Sequence, residues 1–315
     1  MSKKALGLIS ALSANVIWAF MSIPLRLIKS YNAEQILYYR IITCFVICLI
    51  YIFAFNRTNL THDIQGIKKL TPKNFRLTLM LIGLSGIFIT LNWFAFIYVV
   101  NNINIKSAAF AYMVCPLITA LGGYFILKEN LSSLKFTAVG VAIVSIILLS
   151  TGSIKDTLWA VFTAFFYAFF LIIQRKIQGI NKINMLFFQL IIATIIIIPL
   201  LILFPQPFPV DHVFWLSIIT IAILFTILPL LLSLYALESL PSSTVGILIY
   251  INPVVAFSIA FFYFDESIKL NQVFAYLLLI LAVLLFNYKI LIQGFNKIRN
   301  HKLNKKVASL ERSNT

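Results

Sequence analysis

The sequence predicts an all-α integral membrane protein of ten transmembrane helices, arranged as two inverted five-helix repeats. Three observations carry this prediction. Span-length apolar stretches recur along the chain, basic residues concentrate in alternate breaks between them, and the first half of the sequence echoes in the second. Of 315 residues, 61% are hydrophobic and 11% charged, with a mean hydropathy of +1.00. A soluble domain carries about a quarter charged residues, so this chain has too few to cover a water-facing surface.

Each span needs about 20 apolar residues to cross a hydrocarbon core of about 30 Å. The stretches that meet this are 5–28, 33–55, 77–100, 106–127, 134–151, 157–174, 183–204, 213–236, 242–264 and 270–291. The opening MSKKALGLISALSA resembles a cleaved leader, but the apolar run continues past Ala14 to Ile28, which predicts a retained first helix. Turn and polar residues occupy the breaks, among them Asn101–Asn104, Thr151–Ser153 and Pro205–Pro209. The longest break, Asn56–Lys73, is polar and basic and reads as a loop. The tail 292–315 is basic, poor in apolar residues and expected to lie outside the bilayer.

Charge sets the orientation. With the N-terminus (1–4) in the cytoplasm, 19 of the 25 Lys and Arg residues fall on the cytoplasmic side. Arg26, Lys29, Lys106, Lys155 and Lys269 fall on the other side, and Arg40 alone lies inside a span. This bias places both termini in the cytoplasm and requires an even number of spans in the cell membrane. The same bias accounts for the net charge of +16, so no nucleic-acid partner is expected.

The repeat is visible without gaps. At an offset of 137, Leu91 matches Leu228, Tyr98 matches Tyr235, Pro116 matches Pro253 and Glu129 matches Glu266. A weaker echo at an offset of 149 sets Trp18 on Tyr167, Arg26 on Arg175 and Arg40 on Gln189. The halves are 5–151 and 155–291, five helices each. An odd number per half inverts the second relative to the first, an arrangement that secondary transporters use with the substrate at the repeat interface.

Ionisable groups inside spans are costly and are functional candidates by default. Arg40 lies seven residues into the second span, roughly 10 Å from its outer boundary. Its stem can snorkel outward, or its guanidinium can anchor a carboxylate or phosphate; Glu34 is a possible partner. None of the nine Asp and Glu residues sits near the centre of a span. That argues against coupling to protons or sodium through a midplane carboxylate, and against a magnesium-dependent membrane transferase. His62, His212 and His301 lie in loops or the tail, and Cys44, Cys48 and Cys115 read as buried, inert thiols. No metal, cofactor or enzymatic activity is expected. Glu129 and Glu266 are each expected to cap the helix that follows them.

The remaining central groups are neutral: Trp18, Asn92, Trp93, Tyr98, Tyr112, Tyr167, Tyr250 and Asn252. Pro116 and Pro253 fall near the centres of their spans, where a missing N–H permits a kink, and serve as expected hinges. An amide beside a mid-span proline, as at Asn252, must find partners inside the bundle.

The pieces IWAFMSIPLRLI at 17–28, ILYYRII at 36–42, LNWFAFIYVVNN at 91–102, PLITALGGYFILKENL at 116–131 and FFYAFFLIIQRK at 165–176, followed by SSTVGILIYINP, resemble the drug/metabolite transporter superfamily in its EamA branch, nearest the RarD-like subgroup. The resemblance implies ten helices in the cytoplasmic membrane, a cavity built by helices 1, 3, 4, 6, 8 and 9, and export of metabolites, amino acids or drugs. Trp18, Arg40, Asn92, Trp93, Pro116, Tyr250 and Pro253 match recurrent positions of that group. Gln35 stands where the group often has an acid, and Asn130 where it commonly has a base.

The resulting expectation is a transporter working by alternating access. Trp18, Asn92, Tyr112, Tyr167, Tyr250 and Asn252 line its cavity, Arg40 anchors an anionic group, and Gln189 plays a matching inner role. Its partners are membrane lipids and a small-molecule substrate, with the protein a monomer or homodimer. The rival class is a membrane-embedded enzyme or lipid-handling scaffold without transport activity.

Overall fold

A proline, three widened turns and a set of polar caps decide where the apolar segments break. The structure, a computed structural model, describes residues 3–128, 132–150, 153–177, 179–239, 248–267, 269–270, 272–288 and 292. Glu129, Asn130 and the tail from 293 lie outside the described residues, as do the side chains of Arg175 and Glu238.

The first apolar segment is two helices, α1 (Lys3–Ala19) and α2 (Ser22–Leu27). Pro24 has no N–H to give the carbonyl of Phe20. The chain instead turns tightly, with Phe20 N donating to Ile17 O and Met21 N to Trp18 O, both at 3.1 Å. Next comes α3 (Ala33–Tyr51), which continues through a π-helical turn, Ile52–Asn56, into α4 (Arg57–Lys68).

The loop expected at 56–73 is thus mostly helical. Its buried Asp63 accepts from the backbone of Asn181 at 2.8 Å and from the Asn184 side chain at 2.7 Å, which pins α4 against the start of a later helix. Charge and polarity marked this stretch as surface, but only the tertiary contact makes a lone polar segment worth ordering.

Pro72 opens α5 (Pro72–Tyr98), a position where its missing donor costs nothing. A second π-turn, Val99–Ile103, leads to α6 (Ile105–Leu127), capped by the Asn104 side chain, which accepts from Ser107 N at 2.7 Å. Then follow α7 (Ser133–Ser150), α8 (Ile154–Lys176) and α9 (Lys182–Leu203), the last two capped by Ser153 and Asn181. Asp211 caps α10 (His212–Ala222), which runs through a third π-turn, Ile223–Ile227, into α11 (Leu228–Ser239). The last two are α12 (Ile251–Phe262) and α13 (Gln272–Tyr288).

Eight of the described helical segments are long and apolar enough to cross a membrane; α12 and α13 are shorter apolar helices. Leucine, isoleucine and phenylalanine crowd the outward faces, with Ile195, Ile202 and Leu216 each more than 60% exposed. Apolar faces of that extent suit lipid rather than water. The protein is therefore a multi-pass helical membrane protein.

The core joins α2, α3, α5, α9 and α10 through residues such as Leu25, Ile41, Ile97, Leu190 and Phe214. A second cluster joins α6, α7, α8 and α13 through Phe110, Ala142, Ala164 and Leu279. Small residues let the helices approach, and α1 meets α11 at Ala11 and Ala236.

Candidate functional site

Between these helices lies a cavity of about 510 Å³, within the range of small-molecule sites. It reaches the surface at the connection between α8 and α9, around Gly179 and Ile180, with Lys182 and Ser233 at the same end. From there it runs inward to the break between α1 and α2, where Trp18 and Met21 line it.

Arg40, on the third turn of α3, sits at its depth. The residue is 2% exposed, so its side chain is enclosed by protein rather than snorkelled. Its Nε and Nη2 both donate to Thr226 Oγ1, at 3.2 and 3.0 Å. Thr226 belongs to the third π-turn, and its hydroxyl donates to Ile221 O at 2.8 Å, five residues back. The turn thereby presents a hydroxyl that faces α3. The guanidinium also lies over the Trp93 ring, 4.7 Å from its centroid, a cation–π contact that partly offsets its burial. Nη1 is buried and has no partner. Glu34 is exposed and does not serve Arg40, and no carboxylate pairs with Arg40 among the described residues.

An aromatic wall faces this cation. Phe96 and Tyr112 pack at 5.6 Å, Tyr112 meets Tyr167 edge-on at 5.7 Å, and Tyr167 stacks on Phe170 at 5.9 Å. Pro116, inside α6, has no N–H for the carbonyl of Tyr112, so the helix is loosened beside this wall.

The polar candidates divide into two groups. Asn92 lines the cavity, but its amide donates to Thr163 O at 2.9 Å, tying α5 to α8. Asn252 donates to Asn15 O at 3.3 Å, tying α12 to α1 beside the α1–α2 break. Gln189 is buried in the lining and donates to Ser85 Oγ at 3.2 Å. Of the expected site residues, Trp18, Arg40, Asn92, Trp93, Tyr112, Tyr167, Gln189 and Asn252 share the cavity. Tyr250, in the turn before α12, is not among its lining, nor are Pro116 and Pro253. Pro253 stands in the first turn of α12 rather than at the centre of a helix.

Lining residues that sequence reasoning passed over include Asn15, Met21, Gln174 and Thr226. Asn15 carried a signal, being an amide one turn before Trp18. Thr226 carried none, since a threonine in an apolar helix satisfies itself on its own backbone.

The opposite end is shut. Arg26, at the end of α2, pairs with Glu266, after α12, at 2.9 Å. Glu266 also accepts from Ile105 N at 2.9 Å and Lys106 N at 3.3 Å, the first amides of α6. Lys106 Nζ donates to Ser267 O. The capping expected of Glu266 toward the helix after it is thus corrected. Its carboxylate caps α6, because the chain reverses at Asp265, whose φ is +50°, and turns the side chain back across the bundle.

A multi-pass helical bundle holding a solute-sized cavity, open at one end and sealed at the other, defines a membrane transporter class. Comparison narrows the class. The chain belongs to the EamA-like transporter family, whose model matches residues 5–151 and again 155–288. It is 28% identical over 290 residues to the Bacillus subtilis protein "Uncharacterized transporter YojE", covering 90% of this chain and 93% of that one. It is 26% identical over 291 residues to "Protein RarD" of Salmonella typhimurium, covering 88% and 93%. A crystal structure superposes with a TM-score of 0.59 at 13% identity, over 89% of this chain and 95% of that one, and shares the fold.

Proposed function

We propose that the protein is a secondary transporter of the EamA/RarD type that exports a small amphipathic metabolite across the cytoplasmic membrane by alternating access. The cavity carries this reading: it holds a buried cation at its depth, an aromatic wall beside it, an opening at one end and an ion-pair seal at the other. Support for two inverted five-helix repeats, 5–151 and 155–291, comes from the paired sequence offsets and from the two matches of one family model. In this reading α12 and α13, with the residues around them, complete ten spans. The positive-inside bias puts both termini, and therefore the open end of the cavity, in the cytoplasm.

Export then begins with a substrate entering past Ile180 and settling against the aromatic wall near Arg40. The halves rock about the proline-bearing helices, Pro116 in α6 and Pro253 in α12. The inner mouth closes as Arg26 and Glu266 part. Reconstitution tests it: purified protein in vesicles is expected to equilibrate at least one member of a panel of amino acids, organic acids, nucleosides and amphipathic drugs faster than empty vesicles do. Equal rates across the whole panel would sink the proposal.

A further inference from the structure

We infer that the substrate is an organic monoanion with an apolar body, and that the cavity discriminates against zwitterions and cations; this deepens the transporter reading and rests on it. The charges facing the cavity are the argument. Its lining contains two cationic residues, Arg40 at the depth and Lys182 at the mouth, and no Asp or Glu among the described residues. None of the six described carboxylates lines the cavity: Asp63 is engaged on Asn181 and Asn184, Glu266 on Arg26 and α6 and Asp211 at its own cap, Glu34 and Asp265 are exposed, and Asp156 stands in the first turn of α8 outside the lining. An ammonium group entering this cavity meets no countercharge among the described residues, and burying it unpaired is costly.

Arg40 is already half committed. Thr226 takes one N–H from Nε and one from Nη2, and Trp93 covers a face of the plane. Arg40 lines the cavity, and the end of its fork around Nη1 is buried without a partner. Both Nη1 donors and the second Nη2 donor are left for a ligand. That end matches a carboxylate, whose two oxygens accept in the guanidinium plane. A neutral acceptor fits the same place but leaves the cation uncompensated. The rest of the surface is apolar and aromatic, so the anionic head is expected to carry a hydrophobic body against Tyr112 and Tyr167.

The inference also meets the lack of a midplane acid in the spans. Export of a monoanion from a negative-inside cell is driven by the membrane potential, a factor of about fifty in concentration per 100 mV. Such a carrier needs no coupling carboxylate.

Four probes with one body separate the charge types: 3-phenylpropionate (monoanion), phenylalanine (zwitterion), 3-phenylpropionamide (neutral) and 2-phenylethylamine (cation). Binding is read by thermal stabilisation and calorimetry of the full chain in lipid nanodiscs. The monoanion is expected to bind at least roughly tenfold more tightly than each of the others, the scale of one charge-assisted hydrogen bond. Arg40→Gln is expected to erase the difference, with the fold checked by its melting transition. The four-probe comparison on the unaltered chain decides the matter even where that variant does not fold. Equal or tighter binding of phenylalanine or 2-phenylethylamine overturns the inference, as does no binding of the monoanion at millimolar concentration. Failure of the transporter reading looks different: the monoanion binds, yet its flux equals that of empty vesicles.

Discussion

A guanidinium with no counterion among the described residues, enclosed by apolar helices, costs stability: by insertion scales, about 2.5–3.5 kcal/mol at a helix centre. Arg40 bears that cost with two bonds to one threonine and a single ring beneath it. The proposed role of Arg40 in binding leads to a definite expectation. Arg40→Met, which keeps the length of the stem and removes the charge, should raise the melting temperature of the empty protein while abolishing binding of 3-phenylpropionate. A lowered melting temperature would mean that Arg40 is a structural strut. Arg40 was legible in the sequence because an ionisable residue inside a span stands out. Thr226 was not, because a hydroxyl in an apolar helix is common and silent. The amides of Asn92 and Asn252 were legible as central polar groups. Their donation to Thr163 and Asn15 carbonyls on neighbouring helices was not, since those partners lie 71 and 237 positions away.

Helix contacts distinguish glycines that look alike in the chain. A methyl on Gly86 would meet the Cβ of Ile192 at 2.7 Å, a branched atom held close to its own backbone. A methyl on Gly122 would meet only the tip of Ile172, at 2.5 Å, which can swing away. Gly86→Ala is therefore expected to destabilise the α5–α9 packing by about 1–3 kcal/mol, and Gly122→Ala to be near neutral, both read from melting in detergent. The seal is the other element-scale device. Glu266→Gln removes the ion pair to Arg26 and weakens the cap on α6, a loss of about 1–3 kcal/mol from the closed end. A cysteine placed at Ala108, which is 2% exposed beside the first turn of α6, should resist an impermeant maleimide in the otherwise unaltered chain. It should react several-fold faster once Glu266→Gln is added; unchanged labelling would show that the pair does not hold the seal. Apolar runs announced most helices, whereas the breaks at Phe20–Met21 and the helical form of 57–68 depended on Pro24 and on Asp63 finding Asn184.

For the whole molecule, the open mouth between α8 and α9 makes a final prediction. Ile180→Cys should react readily with an impermeant maleimide from one side of the membrane, and 3-phenylpropionate should slow that reaction; the native Cys44, Cys48 and Cys115 are buried and stay silent. Equal labelling with and without the anion would place the mouth outside the substrate path. By itself the sequence determined the solvent, since 11% charge over 315 residues cannot face water, and with it the all-helical, multi-pass class, because only closed backbone hydrogen bonding survives in lipid. It also isolated Arg40, by the cost of a charge in a span. Tertiary structure decided what that charge touches, which helices break beside it, and which end of the cavity is open. These rest on contacts between segments far apart in the chain, Arg40 with Thr226 and Arg26 with Glu266, and no local pattern of hydropathy encodes such pairings.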